Sequence, residues 1–134
     1  ELALLKRFEN DEPLEKLQPV LTGEDILSLR EDAAQVFMHE DLMRYLVSLL
    51  GAIRADERLL MSVSPRATLT FLRALKAYAF IAGRDYVLPD DIKTLAGPVL
   101  SHRIQVYGEK SEKEEVIRDA LNRVAIPSED FSHR

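Results

Sequence analysis

The sequence predicts an all-α fold, a helical bundle of about four main helices flanked by short ones. Three observations predict it. Apolar residues recur at three- and four-residue spacing through 40–54 and again from Leu69 onward. Pro65 and Pro89 stand where helices open, since a fixed φ suits the first helical position and the absent N–H is not needed there. The candidates for extended chain are only short pieces, around Tyr86 and Val87 and from Ile104 to Tyr107. At 134 residues the chain has about one domain's length and can bury roughly two-thirds of its unfolded surface around one core.

The first segment, ELALLKRF, places Leu2, Leu4, Leu5 and Phe8 as the tail of a helix that begins upstream. Because the chain starts at Glu1 rather than Met, the expectation is a piece excised from a longer protein. Asn10 to Pro13 break that helix, and Pro13 to Leu21 form a Pro-bounded connector anchored over a core by Leu14, Leu17, Val20 and Leu21. Thr22 opens the next helix, with Asp25 three residues on able to return a bond to the cap and Glu24 and Asp25 complementing the dipole. Its core face is Ile26, Leu27, Leu29, Ala33 and Ala34, and Val36 to Met38 make a brief apolar link. From about Glu40 to Arg54 runs the cleanest amphipathic helix, with Leu42, Tyr45, Leu46, Leu49, Leu50 and Ile53 on one face.

Polar residues Ala55 to Leu59 and the lead-in Leu60 to Val63 bring the chain to Ser64-Pro65-Arg66-Ala67, which opens the central helix. Ser64 can cap the free N–H groups and Pro65 takes the first helical position. Two apolar stripes follow, Leu69, Leu72, Leu75, Ala79 and Ala82 beside Phe71, Ala74, Tyr78 and Ile81, so neighbours are expected on both sides. Gly83 supplies the left-handed residue that ends the helix.

Pro89-Asp90-Asp91 opens the fourth helix, whose core face is Ile92, Leu95, Ala96, Val99 and Leu100, and Gly97-Pro98 should kink or split it. The charge run Glu109 to Glu115 is a solvated loop and helix start. Val116, Ile117, Ala120, Leu121 and Val124 form a last helix that ends before Pro127.

Composition excludes several chemistries. There is no cysteine, hence no disulfide framework, thiolate metal site or thiol nucleophile. A formal charge of -5 disfavours a surface built to neutralise nucleic-acid phosphates. No apolar run is long enough to span a bilayer and the N-terminus lacks signal-peptide order, so no membrane partner and a cytoplasmic location are expected. None of the five glycines sits in a phosphate-wrapping loop. His39, His102 and His133 lie far apart with no HExxH pair, so no metal is expected, and His102 late in the fourth helix is a packing or dipole-compensating residue. Asp90 and Asp91 are explained by their first-turn position, and Ser64 by capping rather than nucleophilic attack.

Arg66 does not fit a purely structural account. A cation in the first turn meets the positive end of the helix dipole and costs roughly 0.3–1 kcal/mol unless an anion answers it. Either a phosphate is that anion, or Arg66 extends into water or pairs with a nearby carboxylate. Lys76, Arg84 and Arg103 either join Arg66 in a basic patch or are scattered surface cations.

SPRA at the head of a long helix, then AGRDYVLPDDI, then VLSHRI, together resemble the C-terminal lid of the MoxR group of AAA+ ATPases. The upstream PLEKLQPVLTGEDIL resembles the connector from the ATPase core to that lid, so the likeness runs from Leu14 to Ile104. It departs at Ser62 and Val63, where the family usually has Gly-Ala, and at His39, where it tends to have a small polar cap. The resemblance implies that Arg66 is the sensor-2 arginine reaching the γ-phosphate of ATP, with Ser64 and Pro65 supporting the helix start and no catalytic residue in the chain itself. It implies ATP and Mg in the full-length protein and none in this piece alone. The implied partners are the P-loop core of the same chain, a homo-oligomeric ring such as a hexamer, and von Willebrand A domain proteins, with chaperone-like action on partner complexes. The corresponding division is 1–21 as the end of a core helix and connector, 22–107 as the lid, and 108–134 as a C-terminal helix and tail. The alternatives are a helix-turn-helix DNA-binding domain, disfavoured by acidity and the doubly apolar central helix, and a stand-alone helical adaptor.

Overall fold

The computed structural model describes residues 1–8, 17–108, 112–128 and 131. The breaker at Asn10 to Pro13, Leu14, the start of the charge run and His133 lie outside the described residues. The elements are α1 (Leu2–Phe8), α2 (Gly23–Gln35), α3 (Glu40–Arg54), β1 (Leu59–Met61), α4 (Pro65–Ile81), α5 (Pro89–Leu100), β2 (Gln105–Val106) and α6 (Glu112–Arg123). The fold is all-α, and the one sheet among the described residues is the antiparallel pair β1–β2 with Leu59 opposite Val106.

The core forms where helical apolar faces converge. All six residues expected on the inner face of α3 are buried, and α3 packs against α6, which buries Val116, Ile117 and Ala120. α4 lies between α5 and α2 and buries Ala67, Phe71, Leu75 and Ala79 at four-residue spacing. α5 contributes Ile92, Ala96 and Leu100, and Gly83, at φ 74, turns the chain out of α4 as its freedom in the left-handed region allows. Beyond Gly83, Phe37 and Tyr86 form a single parallel bridge, with Phe37 N–H donating to Asp85 O and Val87 N–H to Phe37 O. The chain's last described residue, Phe131, is buried with its ring edge-on to His39.

Several expectations need correction. Each stripe of α4 is only partly covered: Leu75 and Ala79 of the first and Phe71 of the second are buried and Leu72 packs on the core, whereas Leu69 of the first and Ile81 of the second are exposed. α2 is capped as expected, Thr22 Oγ1 accepting from Asp25 N–H and Asp25 Oδ2 accepting from Thr22 N–H, yet it buries no residue. Leu17, Val20 and Leu21 anchor nothing, and Val20 is 93% exposed. A helical or connector pattern records which positions are apolar, not what covers them.

Gly97-Pro98 does not split α5, because Pro98 removes a single ladder bond within one turn of the helix end while Ser101 N–H still closes onto Gly97 O. His102 falls after α5 and is exposed, so it is no packing residue. Arg103 meets the helix end instead, its Nε donating to Val99 O.

Candidate functional site

The site is the N-terminus of α4. The chain leaves β1, buries Val63 and passes through Ser64 in an extended conformation, with Pro65 at the first helical position. Ala67 N–H donates to Ser64 O, but the Ser64 side chain makes no capping bond, so its expected role as a side-chain cap is not realised. Backbone geometry and Pro65 start the helix without it.

Arg66 is exposed, and among the described residues its side chain makes no hydrogen bond or ion pair. The reading in which it pairs with one of the domain's own carboxylates therefore finds no support among them. Its carbonyl accepts from Thr70 Oγ1. No acidic residue stands in the first turn of α4, whereas α2 has Glu24 and Asp25, α3 has Glu40 and Asp41, α5 has Asp90 and Asp91, and α6 has Glu112, Glu114 and Glu115. A guanidinium and an uncancelled dipole end thus point the same sign of charge at solvent.

The other cations raised by the sequence do not join it. Arg84 forms a two-point pair with buried Asp91, Nη2 to Oδ1 at 2.7 Å and Nη1 to Oδ2 at 2.9 Å, and Nη1 also reaches Tyr86 O. Hydrogen bonding to Asp91 raises the Arg84 pKa further above its ordinary value. Lys76 Nζ donates to Ala34 O, tying α4 to the end of α2, and Arg103 serves α5. Asp90, the other supposed carboxylate, accepts from Lys93 at 2.7 Å.

Behind the site, Arg58 is held between Asp56 and Asp119 at 2.8 Å each, which links the β1 approach to α6. Its hydrogen bonds bring the Asp56 pKa down to about 2. One residue escaped the sequence reading. Arg54, in the last turn of α3, donates from Nε to Val63 O and from Nη2 to Thr68 Oγ1, on either side of Arg66. The available signal was a basic residue in a helix's last turn, which the dipole already explains.

Among the described residues no group of three or more His, Cys, Asp or Glu side chains could hold a metal, and no helix is long and apolar enough to cross a membrane. His39 is the N-cap of α3, with Nδ1 accepting from Asp41 N–H at 3.2 Å.

Comparison with known proteins identifies the family of this helical body. The profile of the AAA lid domain family matches residues 51–127, more than half of the chain, and the chain belongs to that family. It is a lid of the MoxR type: it is 35% identical over 121 residues to Chaperone MoxR1 of Mycobacterium tuberculosis, covering 81% of this chain and 32% of that one. It is 32% identical over 131 residues to the protein YeaC of Bacillus subtilis, covering 95% of this chain and 41% of that one. A crystal structure of a "putative ATPase" from Cytophaga hutchinsonii superposes with a TM-score of 0.78 at 31% identity, covering 95% of this chain and 42% of that one. The chain thus spans less than half the length of these relatives.

Proposed function

We propose that this chain is the nucleotide-sensing lid of a MoxR-like AAA+ ATPase and that Arg66 is its sensor-2 residue, reaching the γ-phosphate of ATP held with Mg by the P-loop core of the same protein. The observation that carries this reading is the unanswered charge at the head of α4: an exposed guanidinium on an acid-free helix terminus. These donors fit a phosphate. Bound nucleotide supplies a terminal phosphate whose charge changes on hydrolysis, and Arg66, with Ser64 and Pro65 setting the helix start, supplies the contact that tells the two states apart. A contact made in one nucleotide state and not the other biases how the lid sits on the core, which turns hydrolysis into movement.

The apolar surface left open supports the same reading. Leu17, Val20 and Leu21 and the α2 residues Ile26, Leu27 and Leu29 are exposed apolar side chains that the core of the same chain would cover. On this account 1–21 is the end of a core helix and connector, 22–107 the lid and 108–134 a C-terminal helix and tail. The parent protein would assemble as a ring in the cytoplasm and act, chaperone-like, on partner complexes that include von Willebrand A domain proteins.

The test is nucleotide discrimination in the full-length protein. A charge-assisted hydrogen bond contributes about 1.5–3 kcal/mol, so Arg66→Ala should cut the preference for ATP over ADP by roughly 10- to 100-fold in a binding titration, with turnover falling too. Unchanged discrimination and unchanged hydrolysis would overturn the assignment.

A further inference from the structure

We infer that Arg54 is a positioning residue for Arg66: it staples the turn from which Arg66 projects, and so sets where that guanidinium can reach. The inference rests on the nucleotide-sensing reading of Arg66 and adds a residue from a different helix to the same device.

The geometry is specific. Arg54 closes α3, where its charge complements the helix dipole. From there Nε donates to Val63 O at 2.9 Å and Nη2 to Thr68 Oγ1 at 3.2 Å. Val63 lies three residues before Arg66 and Thr68 two after it, so one planar side chain holds both ends of the segment Ser64-Pro65-Arg66.

Apart from Thr70 Oγ1, which donates to Arg66 O within α4, no other side-chain hydrogen bond holds that segment among the described residues. The Ser64 side chain makes no cap bond, Pro65 has no N–H to give, and the Arg66 side chain makes no hydrogen bond among the described residues. Val63 is buried, so its carbonyl needs a donor, and Arg54 provides it. A guanidinium can serve two acceptors in a fixed plane, which an ammonium on a flexible stem cannot reproduce. Small misplacements of a charge-bearing group are costly wherever its contact must form in one nucleotide state only.

The experiment is a double-mutant cycle in the full-length protein, comparing Arg54→Ala, Arg66→Ala and the double variant. Two readouts are taken: ATP and ADP affinities by titration, and amide relaxation of Arg66 with no nucleotide present. Arg54→Ala should lower the ATP-over-ADP preference about 3- to 10-fold and loosen the Arg66 amide, while in the Arg66→Ala background it should change the preference no further. Arg54→Lys should restore only part of the preference. If Arg54→Ala unfolds the lid, Thr68→Val removes one anchor without touching α3 and should give a smaller loss with the same lack of additivity.

A loss from Arg54→Ala that persists undiminished without Arg66 would mean that Arg54 meets the nucleotide itself or acts through the whole fold, and the positioning role would be wrong. Full discrimination in Arg54→Ala and Thr68→Val, alongside a clear loss in Arg66→Ala, would overturn this inference and leave the sensor assignment standing. No loss in Arg66→Ala would remove both.

Discussion

The N-termini of α4 and α5 are built on the same backbone device and charged in opposite ways. Each has Pro at the first helical position behind an extended residue, Ser64 at φ -73 and ψ 158, Leu88 at φ -108 and ψ 156. At α5 the positive end of the dipole is answered from within. Asp91 is buried, its Oδ2 accepts from Leu88 N–H at 2.8 Å, and the remaining charge is closed by Arg84. At α4 no side chain among the described residues answers, and Arg66 adds a further positive charge. One terminus contributes to stability; the other gives up roughly 0.3–1 kcal/mol to keep its field directed outward. A terminus that costs stability, where its neighbour shows the chain can build a satisfied one, is what the proposed phosphate contact of Arg66 would account for.

The largest effect that would sharpen this contrast is expected at Asp91. Asp91→Ala removes the N-terminal acceptor of α5 and leaves the mostly buried Arg84 without its partner. The loss should be about 2–4 kcal/mol in urea unfolding, since breaking a buried pair strands the other charge. A loss under about 0.5 kcal/mol, the range of an ordinary surface change, would mean the α5 terminus is not the closed structure described.

A smaller effect is expected at α2, whose terminus is answered but whose body is not covered. Thr22→Ala removes a capping box with Asp25 and should cost about 1 kcal/mol. Because α2 buries no residue, the loss should appear as faster amide exchange within 23–35 and little change in the global unfolding midpoint. A global shift as large as the local one would show that α2 belongs to the cooperative core.

These differences mark what the sequence could reveal. α3 was legible to its last residue because a single apolar face packs against one core, and its 3–4 spacing leaves no competing period. α5 and α6 were legible for the same reason. The exposed face of α2 was not, since the spacing of Ile26, Leu27 and Leu29 is the same whether the covering surface lies in this chain or another. The strand β1 escaped because three residues are too few to show a period, and its partner β2 lies more than forty positions away. At the candidate site, Arg66 stood out by its conflict with the dipole, a purely local argument. Arg54 is joined to Val63 and Thr68 only by the return of the chain through β1, and no spacing rule encodes that. The same holds for Arg84 and Asp91, which the sequence placed in separate roles and the fold joins.

The smallest change in stability carries the sharpest test of the contrast. Ser64→Asp would give α4 what α5 already has, an acid at the head of the helix. The Ser64 side chain makes no capping bond now, so nothing native is lost, and a carboxylate there meets free N–H groups and the Arg66 charge together. The variant should therefore raise the unfolding free energy by about 0.5–1 kcal/mol while weakening ATP binding to the full-length protein, because the added carboxylate repels the incoming phosphate and competes for the guanidinium. The two effects must have opposite signs. If stability and ATP affinity rose together, or if stability fell, the head of α4 would not be an anion site left open at a cost to the fold. Ser64→Ala is the control: with no bond to remove, it should leave stability within about 0.5 kcal/mol of the native value.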